Sequence, residues 1–409
     1  MNIRLIIVSA LFLFSFVSNV AGDSSLNFSL LTVNGEQRSA FYEQIRKFER
    51  HYPSIKVNLL AVEQEQYKES FERWLKAEAH SDVMFWFGGE RLNWFVSQGL
   101  IEPMDALWQR NRWSDIITTS GRSAAEVSGQ VYGLPIHYYN WGIYYNKSIF
   151  EKYGLSEPQT WEQLLEVCKK LKSQGIIPIT LGSKETWPVA SWFDYLNLRL
   201  NGLPFHQQVM KGEISYHDRR IVNVFTHLGE LVEAGFFLAD HQNTTWKGAL
   251  PYLYRDLAGM FLMGNFWTSQ IPDPIKTKIG LFRFPKINPD LLMYEEAPTD
   301  LLVIPSNVKN RKEAEIFLNF MADETVQADL NQALGMLAPQ KNNKQKKGPF
   351  LQVAEEILSE AEGLSQYYDR DNRQPIALEG MEQIKRFMAN PKELPAVLDE
   401  LERLRKLSF

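Results

Sequence analysis

Gly129-Gln-Val-Tyr-Gly-Leu-Pro-Ile-His-Tyr-Tyr-Asn-Trp-Gly-Ile-Tyr-Tyr-Asn-Lys-Ser148 passes from turn to strand, through an aromatic pair and into a second strand, with no room for an independent element. Gly133 and Pro135 punctuate the turn, Ile136 to Tyr145 is rich in β-formers, and helix-type sequence resumes after Asn146. Such a stretch is expected to carry the chain between two lobes. Its centre, His137-Tyr138-Tyr139-Asn140-Trp141, would then lie where the lobes meet, a common place for a small-molecule site.

Upstream, Leu26, Phe28 and Leu30 alternate as one face of a strand, and Asn34-Gly35-Glu36-Gln37 reads as a turn. Phe41, Ile45, Phe48 and Tyr52 then recur at helical spacing, with Ser39 as candidate cap and Pro53 as stop. Ile55, Val57 and Leu59 predict the next strand, Tyr67 to Ala79 the next helix, and Val83 to Phe87 a continuous apolar strand. This β-α-β-α-β order specifies a parallel sheet with helices on both faces, and ligands of such sheets sit beyond the carboxyl ends of the strands. The two loops so placed hold Glu36-Gln37 and Trp86-Phe-Gly-Gly-Glu-Arg91.

Downstream, Thr160-Trp-Glu-Gln163 forms a capping box and Ile176 to Thr180 predicts a strand. Helical patterns run from Leu203 to Ala239 and from Leu250 to Leu262, and Ile279 to Phe284 predicts a last strand, so a second α/β lobe is implied. Ala297 to Pro305 resembles a second crossing. Helical segments from Arg311 to Leu334 and from Phe350 to Phe409 complete the chain, with Lys341 to Gly348 as a loop.

Residues 1–22 hold Arg4, a largely apolar run from Leu5 to Val17 and small residues at Val20-Ala21-Gly22, the layout of a secretory signal cleaved near Ala21 or Gly22. The run is shorter than the roughly 20 apolar residues that span a bilayer, and no later stretch is expected to do so. Cys168, the single cysteine, cannot form an intrachain disulfide and shares an apolar helix face with Leu164 and Leu171, far from any lipid-anchor position. The expected location is therefore the periplasm, without a membrane anchor. Loss of Arg4 leaves 43 basic against 49 acidic side chains, a surface that repels nucleic acid. The basic run from Lys341 to Lys347, between Pro339 and Pro349, reads as solvated loop. With 25 Phe, 16 Tyr and 11 Trp, the chain carries more aromatic surface than a core alone requires.

No G-x-S-x-G elbow, phosphate-loop or dinucleotide glycine motif occurs. The 7 histidines, scattered from His51 to His241, lack ligand spacing, so neither metal nor cofactor is expected. A catalytic carboxylate pair stays open, since glycoside cleavage needs only two suitably spaced carboxyls.

Four segments resemble the extracellular solute-binding proteins of bacterial ABC importers, of the maltose and oligosaccharide-binding type. They are Asp82-Val-Met-Phe-Trp-Phe-Gly-Gly-Glu-Arg-Leu92 with Gln98-Gly-Leu-Ile-Glu-Pro-Met104; Tyr132 to Lys147 with Pro158-Gln-Thr-Trp-Glu-Gln-Leu164; Ala258-Gly-Met-Phe-Leu-Met-Gly-Asn-Phe-Trp267; and Ile304-Pro-Ser-Asn307 with Glu313 to Met321. Order and spacing match over essentially the whole mature chain. The resemblance implies an α/β, two-lobed periplasmic binding protein fold, each lobe a mostly parallel sheet with helices on both faces, joined by three hinge crossings. It implies an amino-terminal lobe of residues 23–137 and 299–340, a carboxy-terminal lobe of 138–298 and 341–409, and hinges near 135–141, 296–301 and 335–350. The implied protein is a non-enzymatic monomer that closes around a sugar, most naturally an oligosaccharide, and hands it to an inner-membrane ABC permease. The alternatives are presentation to a histidine kinase or chemoreceptor, or a polyamine or phosphate-ester ligand. Gly89 and Glu90 differ from the maltose binder's loop, so ligand identity does not transfer.

A pyranose offers apolar C–H faces and a rim of hydroxyls, so its site needs aromatic plates and planar donors and acceptors. Trp86, Tyr139, Trp187 and Trp267 are the expected plates: Trp86 ends an apolar strand, Trp267 follows Gly264-Asn265 at the presumed end of an apolar helix, and Trp187 opens a helix in Glu185-Thr-Trp-Pro188. Trp141, Trp192 and Trp246 are weaker candidates. The polar candidates are Glu36, Gln37, Glu90, Arg91, Asn265 and Asp300, with Tyr368 and Arg370 from the carboxy-terminal part.

Overall fold

The computed structural model describes residues 24–77 and 81–409, so the candidate secretory signal lies outside the described residues. In chain order the strands are β1 (Ser24–Thr32), β2 (Ile55–Glu63), β3 (Val83–Phe87), β4 (Glu126–Val127), β5 (Gln130–Val131), β6 (Leu134–Tyr138), β7 (Trp141–Asn146), β8 (Ile177–Ile179), β9 (Ala258–Gly264), β10 (Ile279–Phe282), β11 (Tyr294–Glu296), β12 (Thr299–Val303) and β13 (Gly363–Ser365). A five-stranded sheet runs β2-β1-β3-β12-β6 and a four-stranded sheet β10-β7-β9-β8. β1 pairs parallel with β2 and β3, whereas β12 is antiparallel to both β3 and β6. In the second sheet β8 and β9 are parallel, and β7 runs against β9 and β10. One strand per sheet thus opposes the rest, and in each case it is the strand that follows a passage from the other sheet.

The fold is α/β with two lobes. The three passages lie side by side: Tyr138 exchanges backbone hydrogen bonds with Leu337 at 3.0 Å each way, and the Tyr139 N–H donates to the Pro298 carbonyl at 3.3 Å. Between β6 and β7 only Tyr139 and Asn140 remain outside a strand.

Local chemistry sets the element ends. The helix Gly35–His51 starts where a turn was expected, because the Asn34 side chain accepts from the Gln37 N–H at 2.7 Å and caps it, leaving Ser39 inside the helix. Thr160 caps the helix Trp161–Ser173 through the Gln163 N–H, as the capping box requires. The pattern from Leu203 to Ala239 divides into the end of the helix Trp187–Met210, kinked at Gly202 and Pro204, and the helix Arg219–Glu233. The helix expected from Leu250 to Leu262 is corrected: a helix covers Trp246–Tyr254, and Ala258–Gly264 is a strand with every residue buried. A strand covered on both faces shows no alternation, so its apolar run reads the same as a buried helix.

Buried apolar side chains run through both lobes as one cluster. Phe28, Phe41, Phe48 and Phe317 join β1 to the helices Gly35–His51 and Arg311–Met321 in the first lobe. Cys168 is buried in the second. Among the described residues, no helix is long and apolar enough to cross a membrane.

Candidate functional site

A cleft opens between the sheets at the ends sheet topology favours. Phe87 closes β3, Tyr139 follows β6, and Leu31 and Val33 leave β1, all at carboxyl ends; Asp300 meets them because β12 runs the other way. From the second lobe come Phe266, just past β9, Trp141, which pairs with Gly264 at that end, and Trp187 beyond β8. Tyr367, Asp369 and Arg370 enter from the carboxy-terminal segment. The cavity volume is about 60 Å³, so the lobes stand close together.

Its aromatic walls are held at fixed angles. Trp141 stacks on Tyr367 with centroids 4.7 Å apart and planes 17° apart, and meets Trp187 edge-on at 6.0 Å. The Tyr367 hydroxyl donates to the Trp187 carbonyl. Tyr139 meets Phe266 edge-on at 5.3 Å.

A charged chain crosses the floor. Arg370 donates from Nη1 to Asp300 Oδ1 at 2.7 Å and from Nη2 to the Tyr139 hydroxyl at 2.7 Å, and its guanidinium lies 4.2 Å from the Phe87 ring centroid. His137 Nε2 lies 2.8 Å from Asp300 Oδ2. Burial pushes the Asp300 carboxyl up, but Arg370 and His137 outweigh it and hold it below the usual carboxylate range. Burial drives the Tyr139 phenol far up despite Arg370, so it keeps its proton and remains a donor. Asp369 Oδ2 lies 3.3 Å from Arg91 Nη1 and 3.5 Å from Lys68 Nζ. Gln37 accepts from the Val33 N–H at 2.8 Å through Oε1, which leaves its amide nitrogen without a protein partner among the described residues.

Five of the twelve expected site residues line this cleft: Gln37, Tyr139, Trp187, Asp300 and Arg370. The other seven do not. Trp86 is fully buried in the first lobe, stacked on Phe71 at 3.6 Å, and Arg91 sits behind it with its guanidinium 5.0 Å from the indole. Trp267 is fully buried in the second lobe against Tyr144, Tyr254 and Phe261. Asn265 donates to the Gly335 carbonyl at 3.0 Å, Tyr368 meets the Tyr216 hydroxyl at 3.1 Å, and Glu36 is exposed. Sequence reasoning missed Lys68, Gln64, Asp369, Tyr367 and Phe266, and held Trp141, which lines the cleft, only as a weaker candidate.

Glu90 belongs to a second and larger space, about 570 Å³, on the other side of the crossings. Tyr138 and Thr299 face it while Tyr139 and Asp300 face the cleft, as alternation along a strand demands. Asp371 lines this rear space beneath Gly89, whose φ of 94° and approach to Asp371, with a built Cβ 2.6 Å from Oδ1, leave room for no side chain. Burial, with Glu90 adding to it, raises the Asp371 carboxyl to about 7. A folded-state pKa above the unfolded one makes stability fall as pH rises from about 4 to about 7, by on the order of 3–4 kcal/mol for a shift of this size. Asp371→Asn is expected to remove that part of the decline, read as a smaller difference between urea-unfolding free energies at pH 4.5 and 7.5 than in the parent. An unchanged difference would refute the assignment.

Comparison with known proteins bears on the family and the fold. The model of the bacterial extracellular solute-binding protein family matches residues 34–328. The chain belongs to that family. An ABC transporter extracellular-binding protein of Pyrococcus horikoshii is 25% identical over 326 residues, covering 75% of this chain and 70% of its own. A multiple sugar-binding protein of Streptococcus mutans is 28% identical over 211 residues, 48% of each chain. Among solved structures, this solute-binding protein superposes on the bacterial solute receptor AcbH with a TM-score of 0.86 at 24% identity, covering 94% of this chain and 98% of that one. It superposes on a chitin oligosaccharide binding protein with a TM-score of 0.85 at 19% identity, covering 95% and 99%.

Proposed function

We propose that this solute-binding protein is a periplasmic receptor that closes on a carbohydrate, an oligosaccharide held by one enclosed ring, and delivers it unchanged to an inner-membrane ABC permease. The observation that carries this is the pairing of rigid aromatic walls (Trp141, Trp187, Tyr139) with a floor of planar charged groups (Asp300, Arg370, Asp369) in one narrow cleft. Apolar rings cover C–H faces, and charged groups make the stronger hydrogen bonds to hydroxyls. Relatives support the same class: one is a multiple sugar-binding protein, and AcbH is described as preferring β-D-galactopyranose.

The working parts are a lobe of residues 23–137 and 299–340, a lobe of 138–298 and 341–409, and a pivot at the three passages, acting as a monomer. A sugar that touches both lobes favours the closed form, because a ligand shifts an equilibrium only through its differential affinity. No covalent step is needed. In a thermal-shift screen of the mature protein against mono- and oligosaccharides, a true ligand at 100 times its dissociation constant adds about 2.7 kcal/mol. Trp187→Ala is then expected to weaken that ligand by about 2 kcal/mol, roughly 30-fold, in titration calorimetry. A loss under twofold would refute the wall.

A further inference from the structure

Two acids that the cleft does not use lie beside the second passage. Glu296 ends β11 and leads through Ala297 and Pro298 into β12, and Asp194 sits in the helix Trp187–Met210, whose first residue walls the cleft. Both side chains are fully buried. The two carboxyls meet within hydrogen-bonding reach of each other, while Asp194 Oδ1 and both Glu296 oxygens have no other partner among the described residues. Asp194 Oδ2 accepts from the Tyr368 N–H at 2.8 Å, in the segment that brings Tyr367, Asp369 and Arg370 to the cleft. One contact between two acids therefore joins the second passage, the Trp187 helix and the carboxy-terminal wall.

Among the described residues, the nearby cations are already paired. Arg199 donates to Glu295 Oε1 at 2.7 Å and to the carbonyls of Phe284 and Tyr294, and Arg283 lies 3.6 Å from the same Glu295 oxygen. Arg370 is paired with Asp300, and Asp369 with Arg91 and Lys68. The phenols of Tyr195, Tyr216, Tyr367 and Tyr368 are kept protonated by burial, Asp371 adds only negative charge, and β13 faces Glu296 with the uncharged Ser365. Two carboxyls side by side in a buried site cannot both ionise, so one keeps its proton and donates to the other. Burial, and then Asp194, drives Glu296 well above the usual carboxylate range; burial does the same to Asp194, with Asp371 and Asp369 adding to it.

We propose that Asp194 and Glu296 share a proton that clamps the second passage to the two segments walling the cleft, and that its loss at alkaline pH loosens those walls. The clamp depends on the passage and not on what the cleft binds, so its test stands apart from the sugar reading. The unfolded chain gives up this proton near pH 4 and the folded chain only at higher pH. The stability it contributes is therefore fully present below about pH 4 and falls as pH rises toward the folded value. Asp194→Asn with Glu296→Gln keeps both shapes and puts an amide donor in place of the proton. Between pH 5.5 and 7.5 the unfolding constant of the mature protein, from urea titrations, is expected to rise about tenfold per pH unit more steeply than that of the double variant. Parallel curves overturn the shared proton. Infrared spectra of the parent test it without a variant: the carbonyl stretch of a protonated carboxyl is expected to persist at pH 8, above the Asp371 value of about 7, and to vanish by pH 9.5. A missing band at pH 8 overturns the proton, and a band surviving at pH 9.5 overturns the switch. The parent-to-variant ratio of amide hydrogen-exchange protection over residues 187–196, 294–299 and 366–372 is expected to fall at least tenfold between pH 6 and pH 9.5. An unchanged ratio overturns the loosening.

Discussion

Arg370→Met is expected to lower the unfolding free energy by about 3–5 kcal/mol at pH 7, the usual effect of removing one partner of a buried ion pair. The Arg370 and Asp300 side chains are 7% and 5% exposed, so the abandoned carboxylate is left poorly solvated. His137 remains beside it, and Tyr139 loses the donor that fixes its hydroxyl. The deficit should shrink as the pH falls, because Asp300 takes up a proton and no longer needs a counter-charge. Adding Asp300→Asn should recover a large part of the loss, because the damage is the orphaned charge. Urea unfolding of the two single variants and the double variant decides it: strictly additive losses would show that the pair is not coupled.

Trp267→Ala is expected to cost about 3–5 kcal/mol of stability, as truncation of a buried indole does, while sugar affinity of the folded protein stays within twofold. Trp267 is fully buried among Tyr144, Tyr254 and Phe261 and does not line the cleft. Calorimetry beside chemical denaturation separates the two effects, and a tenfold or greater loss of affinity in well-folded variant would return Trp267 to the ligand.

The contrast with Trp187 shows what the residues announce and what they hide. Alternating Leu26, Phe28 and Leu30, the continuous Val83–Phe87 and the crossing at Tyr139 were legible because periodicity and turn residues are local. The cleft's position followed from strand order. Which neighbour faces it did not: Phe87 rather than Trp86, Phe266 rather than Trp267, Tyr367 and Asp369 rather than Tyr368 line the cleft, each one position from the expected residue. Where both faces of a segment are buried, a one-residue change of phase leaves the pattern intact and reverses every side chain. Lys68 and Asp369 meet at 3.5 Å from opposite ends of the chain, with no local pattern in common.

The position of β12 between β3 and β6 has a consequence for synthesis. Its neighbours are complete by Tyr138, yet the strand that joins them begins at Thr299, after the whole second sheet has been made. Until then Phe85, Trp86 and Phe87 border an empty slot, an unpaired apolar edge of the kind that invites wrong partners. A nascent chain stalled before residue 299 therefore cannot hold a finished first lobe, and the halves cannot be produced as separate continuous fragments.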